Sequence, residues 1–269
     1  MSKVVFITGA SSGIGKSIGT YLTAKGYTVY GTSRNPEKSK ESLSFPLIAL
    51  DVTNSESITA AIATLLQKES RIDILINNAG MGITGPMEET PTDAMRKVFD
   101  TNFYGPLEVI KAVLPQRRLQ RSGLIVNITS IAGYMGLPYR GIYSATKAAL
   151  AVTTESYRME IKAFGITMAN LAPGDFATNI AAGRYHAPVI KDSPYAAQYE
   201  EALTMMDGHV KEGNDPIQVA KAVEKIIITS HPRVHYKVGS LLQKFSVFLK
   251  SILPSKAYEK MLMKHYKMK

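Results

Sequence analysis

Short apolar, β-branched runs alternate along this chain with longer runs in which apolar positions recur every three or four residues. The first kind predicts strands buried on both faces, the second helices with one apolar side. Residues 4–8 begin the series, and an amphipathic run to about residue 26 follows, with Ile18, Tyr21 and Leu22 on its apolar side. Further strands are predicted at 28–32, 47–50, 72–76, 124–129, 165–172 and 233–238. Helices are predicted at 55–68, capped by Asn54 or Ser55, and at 92–114, 141–164 and 215–229. This alternation, with short connections, predicts an α/β fold: about seven strands in a doubly wound parallel sheet with helices on both faces. Such sheets bind ligands at the carboxyl ends of their strands, and Gly9, Arg34, Asp51, Gly80 and Ser130 all fall there.

Two stretches lie outside this rhythm. Residues 175–213 carry Tyr185, His186, Tyr195, Tyr199, Met205 and Met206. Aromatic and methionine side chains suit a bulky apolar ligand better than a sugar. Tyr134, Met135 and Leu137, just after Ser130, are expected to line the same pocket. The alternative is that these side chains only pack the segment onto the domain. Farther on, residues 241–252 place Leu241, Phe245, Phe248, Leu249 and Ile252 on one helical face, and a second basic helix with Met261, Leu262 and Tyr266 follows Pro254. The chain thus divides into a domain over residues 1–240, with a lid at about 175–213, and a helical extension over 241–269.

Composition narrows the chemistry. The 269 residues, 45% hydrophobic and 20% charged, suit one sizeable globular domain. The absence of cysteine excludes disulfides and thiolate chemistry and suits a reducing, cytoplasmic setting. The first apolar run is too short for a signal peptide, and no stretch approaches the roughly 20 apolar residues of a spanning helix. His186 has no ligand-spaced partner, so no metal is expected. The net charge of +10 is uneven: residues 231–269 hold nine Lys or Arg against Glu259, which is +8 and leaves +2 for the rest. The body therefore lacks the basic face that nucleic acid would require. The extension has three readings: a cap over the pocket or a subunit contact, a surface lying on an anionic membrane, or a solvated tail.

Candidate chemistry begins at Thr8-Gly9-Ala10-Ser11-Ser12-Gly13-Ile14-Gly15, between the first strand and the first helix. Glycines there let the backbone turn tightly and approach a pyrophosphate at the helix N-terminus. After the second strand an acid would bind a ribose 2′-hydroxyl. Here Ser33 and Arg34 stand instead, which suits a 2′-phosphate and favours NADP(H) over NAD(H). Tyr143 and Lys147 lie four apart on a predicted helix, so hydroxyl and ammonium converge. A tyrosine titrates near ~10, and a nearby ammonium favours the phenolate, which suits general acid–base work. Asn127-Ile128-Thr129 matches a glycosylation sequon, but it lies in a strand predicted to be buried.

Assembled, the chain resembles the short-chain dehydrogenase/reductase family in its main single-domain branch, from Lys3 to about Thr178. The TGxxxGxG turn (Thr8, Gly9, Gly13, Gly15), NNAG (Asn77 to Gly80), Asn102, Ser130, YxxxK (Tyr143, Lys147) and PG-x-x-x-T (Pro173, Gly174, Thr178) carry the likeness in order. The resemblance implies a Rossmann-type fold and a small-molecule substrate. Tyr143 would be general acid/base, Lys147 its electrostatic partner and a ligand of the nicotinamide ribose. Ser130 would hold the reacting oxygen, and Asn102 a water. Cofactor contacts would come from Gly9, Ser11, Ser12, Gly13, Ile14, Gly15, Ser33, Arg34, Asp51, Val52, Asn78, Ala79, Gly80, Tyr143, Lys147, Pro173, Gly174, Phe176 and Thr178. Phe176 stands where the family usually has a smaller aliphatic residue, and would narrow or cover the nicotinamide pocket. Family habit implies a homo-dimer or homo-tetramer. Blander roles are a strand-end cap for Ser130 and a backbone-satisfied buried amide for Asn102. The competing function is a catalytically idle nucleotide sensor or scaffold using the basic tail.

Overall fold

The computed structural model describes residues 2–177, 183–211 and 213–268. In chain order the elements are β1 (Val4–Ile7), α1 (Gly13–Ala24), β2 (Thr28–Ser33), β3 (Leu47–Ala49), α2 (Ser55–Glu69), β4 (Ile74–Asn77), β5 (Ile83–Thr84), α3 (Thr92–Phe99), α4 (Gly105–Gln120), β6 (Gly123–Ile128), α5 (Gly141–Glu160), β7 (Ile166–Pro173), β8 (Tyr185–His186), α6 (Ala196–Lys211), α7 (Ile217–Ile228), β9 (His235–Val238), α8 (Leu241–Ile252) and α9 (Ser255–His265). Seven strands form one parallel sheet in the order β3-β2-β1-β4-β6-β7-β9. Strand residues alternate between two apolar layers: Phe6, Leu75, Ile125 and Met168 meet α2 and α4 on one face, while Ile7, Ile76, Val126 and Leu171 meet α1 and α7 on the other. The doubly wound, Rossmann-type sheet expected from the pattern is the observed fold.

Three local differences have physical causes. The helix expected over residues 92–114 is interrupted by a π turn at Asp100–Tyr104 and then continues to Gln120. Pro106 lacks the N–H that an α-helix would offer to the Asn102 carbonyl, which favours the wider turn. The last turn persists past Pro115 because buried Arg117 donates to the carbonyls of Asp73 (2.8 Å) and Leu124 (3.2 Å), while the Gln120 amide brackets the backbone of Ile72. The expected lid acquires structure of its own: β8 pairs in parallel with β5, and α6 follows.

The extension packs through part of its apolar surface only. Val247, Leu249 and Leu253 of the α8 region, with Tyr258, Met261 and Leu262 of α9, cluster on Ile131, Tyr134 and Met135. Leu241, Phe245, Phe248 and Ile252, four of the five residues expected to share one helical face, are exposed.

Candidate active site

The turn after β1 is fixed by the end of β4. Thr8 Oγ1 accepts from the backbone N–H groups of Asn78 and Ala79, both at 3.0 Å, and Asn78 Nδ2 donates back to the carbonyls of Thr8 (3.0 Å) and Gly9 (2.8 Å). Gly9 has φ +67°, and a Cβ there would lie 2.8 Å from the Ala79 Cα; one at Gly15 would lie 2.4 Å from the Gly9 carbonyl oxygen. Only glycine fits either place. The pressed backbone leaves Ser11, Ser12, Gly13 and Ile14 along one wall of a cleft of about 960 Å³, with Asn78, Ala79 and Gly80 beside them. No side chain caps the N-terminus of α1, so its first-turn amides suit a pyrophosphate. The donor set fits a dinucleotide.

At the far end of the cleft lie Ser33 and Arg34 after β2, with Asp51 and Val52 after β3. The Asp51 carboxylate accepts from the Thr53 N–H (2.9 Å) and hydroxyl (2.7 Å). The Thr53 backbone bond is the largest cause holding Asp51 below the usual carboxylate range, and Arg34 adds to it. Lys38, in the 3₁₀ turn Pro36–Ser42, faces the same space.

The other end holds the candidate catalytic groups. Tyr143 and Lys147, both buried on α5, line the cleft with Ser130. Lys147 Nζ donates to the Ile128 carbonyl at 3.0 Å and sits 6.0 Å from the centre of the Tyr143 ring. Burial pulls its pKa down to about 8. Ser130 Oγ accepts from the Ala132 N–H (3.1 Å), capping the short turn Ile131–Tyr134. The strand-end cap is therefore observed, and accepting that bond leaves the hydroxyl's own proton for the cleft. Asn102 lies behind. Its Oδ1 accepts from the Met81 N–H (2.8 Å), and its Nδ2 donates to the Met81 carbonyl (2.9 Å) and to Thr146 Oγ1 (3.2 Å). A Cβ at Gly80 would meet Asn102 Oδ1 at 3.2 Å and Lys147 Nζ at 3.5 Å, so the two side chains flank one glycine. The strands and α5 are tied by Asn127, fully buried: Asn77 Nδ2 donates to its Oδ1 (2.9 Å), and its Nδ2 donates to Thr154 Oγ1 of α5 (2.8 Å).

Pro173, Gly174 and Phe176 also line the cleft, but Phe176 belongs to the α7-side core cluster and is a fixed wall, not a cover. Gly15 and Asn102 stand one layer behind the wall, and Thr178 lies outside the described residues. Of the expected substrate-lining residues, Leu137 and Tyr185 pack in the cluster with Tyr143 and Ile83, and others are placed differently. Tyr199 donates its hydroxyl proton to the Thr84 carbonyl (3.0 Å), Tyr195 bonds Glu88 (2.7 Å), and Met206 is buried, so these pack the lid onto the domain. Met135 meets the Tyr258 hydroxyl at 2.8 Å and Tyr134 meets His235, so both face away toward the extension and β9. Met81, Ile83, Arg140 and Arg184 line the cleft instead, and the sequence did not single them out. Arg140 lies 5.4 Å from the centre of the Tyr143 ring, and its positive charge opposes the burial that raises the pKa of Tyr266, just past α9. Only the folded position of the extension reveals that link.

The family model for short chain dehydrogenase matches residues 3–188. The 3-ketodihydrosphingosine reductase of Bacteroides thetaiotaomicron is 37% identical over 253 residues, 94% of this chain and 93% of that protein. A short-chain dehydrogenase from Streptomyces avermitilis has a similar structure, with TM-score 0.83 and 32% identity over 99% of this chain and 97% of that one. Actinorhodin polyketide ketoreductase with NADPH gives TM-score 0.75 and 27% identity, over 90% and 97%.

Proposed function

Because the chain belongs to the short-chain dehydrogenase/reductase family of NAD(P)-dependent oxidoreductases, we propose that it uses NADP(H) to interconvert a bulky apolar ketone and its secondary alcohol. The observation that carries this reading is the convergence of Ser130, Tyr143 and Lys147 on one cleft wall, next to Gly80 and the glycine turn. The nicotinamide, when bound, supplies or takes the hydride. Ser130 and Tyr143 hold the carbonyl oxygen by hydrogen bonds that strengthen as charge develops there. Tyr143 gives that oxygen its proton, and the Lys147 ammonium favours the phenolate left behind. Asn102 has both ends of its amide engaged, so its main-chain carbonyl, deprived by Pro106 of an α-helical donor, is the group that would hold a water on the proton path.

Arg34 and Lys38 at the ribose end support NADP(H). The Bacteroides relative is named for a ketone of the bulky apolar class, 3-ketodihydrosphingosine. Assembly as a homo-dimer or homo-tetramer in the cytoplasm completes the proposal. An idle sensor has no use for all three catalytic groups.

The test is a panel of ketones, 3-ketodihydrosphingosine among them, followed by absorbance with NADPH and with NADH. Tyr143→Phe should lower kcat by about a thousandfold, within the usual worth of a general acid, while NADPH binding read by fluorescence is unchanged. Undiminished turnover in that variant would overturn the assignment.

A further inference from the structure

The outer face of α8 is an unusual surface for a folded chain. Leu241, Leu242, Phe245, Phe248 and Ile252 are between 51% and 82% exposed. At 100° per residue these five fall within one arc of the helix, and the rings of Phe245 and Phe248 lie 5.9 Å apart. Isolated exposed apolar residues are ordinary, but five on one helix mark a contact surface. The row is not the side by which the extension packs on the domain, because that side is formed by Val247 and the α9 residues clustered on Ile131 and Met135.

The charge around it selects the occupant. Lys244 flanks the row on the same helix, Lys250 turns to the Tyr258 ring (5.1 Å), and Lys256, Lys260 and Lys264 follow on α9, against Glu259 alone in that segment. A second copy of this chain would bring that basic surface against itself, and like charges facing each other oppose association. A bilayer with anionic headgroups meets both demands at once, since its acyl boundary takes leucine and phenylalanine while its phosphates take lysines. Among the described residues no helix is long and apolar enough to cross a membrane, so the contact is one of lying on the surface.

We propose that α8 and α9 form a seat for an anionic lipid surface, with the Leu241–Ile252 row entering the headgroup boundary and the lysines contacting phosphates. This stands apart from the catalytic reading, since its readout is sedimentation and not turnover.

The full chain should be spun with vesicles of phosphatidylcholine alone and of equimolar phosphatidylcholine and phosphatidylglycerol, at low and at high salt. Co-sedimentation is expected with the anionic vesicles, weaker at high salt. It should fall by about tenfold or more in Phe245→Ser/Phe248→Ser, which removes two exposed rings and leaves the packed face intact. Size-exclusion chromatography and thermal unfolding of the same variant check its assembly and fold. Equal sedimentation with both vesicle types, or equal binding by the double variant, overturns the proposal. So does an oligomer that the double variant breaks in the absence of vesicle binding, which would make this face a subunit contact.

Discussion

Lys147 is a buried cation on the wall of the cleft. An ordinary lysine titrates at 10.5, and burial brings this one to about 8. Below pH 8 both folded and unfolded chains carry the proton, and the native state bears the full cost of the buried charge. Between 8 and 10.5 the unfolded chain binds more protons than the folded one, so this group makes stability rise with pH, on the order of 3 kcal/mol across the window. Urea unfolding at stepped pH should show that rise in the wild type and lose it in Lys147→Met; parallel curves would refute it. For catalysis the sign reverses. Under the proposed mechanism, losing the ammonium would withdraw support from the Tyr143 phenolate, so kcat/KM for ketone reduction should decline above pH 8. Lys147→Arg keeps its charge, and its descending limb should move to higher pH. At the opposite end of the cleft, Arg34→Glu sets a carboxylate where a 2′-phosphate would sit. The KM for NADPH should rise about tenfold or more, roughly 1.4 kcal/mol, with the KM for NADH nearly unaltered. Equal changes for both cofactors would remove the case for NADP(H).

Elements here are positioned by buried polar contacts as much as by apolar packing. Asn127 joins β4 to β6 and β6 to α5, and so sets the strand end that carries Ser130 against the helix that carries Tyr143. Asn127→Leu leaves the Thr154 hydroxyl and the Asn77 amide short of partners, and should cost about 2–4 kcal/mol, measured as a lowered urea midpoint with an unchanged slope. A midpoint within error of the wild type would show that the relay contributes nothing. The strands were legible because burial on both faces writes an unbroken β-branched run. The π turn at Asp100–Tyr104 was not, since one widened turn barely disturbs helical periodicity. Nor does composition separate a tyrosine that packs a lid from one that lines a pocket: Tyr199 could be seen, but not its bond to the Thr84 carbonyl.

Over the whole molecule, what sequence revealed was whatever repeats or clusters: alternation gave the sheet, and motif spacing gave most of the cleft wall. What it concealed was set by contacts between distant segments. Arg140 stands three residues before Tyr143, yet its link to Tyr266 exists only because the extension folds back. The stripe on α8 was visible too, but periodicity cannot say which side of a helix the rest of the chain will cover. The packing of α1 on α7 carries a kinetic consequence. Tyr21 bonds Glu224 at 2.5 Å across a separation of 203 residues, and Ile18 and Leu22 find their cover in Val219 and Val223. The loop that would grip the pyrophosphate therefore rests on a helix whose partner arrives long after it during synthesis. Contacts so remote in sequence form late, so nucleotide affinity should be among the last properties this chain acquires as it matures.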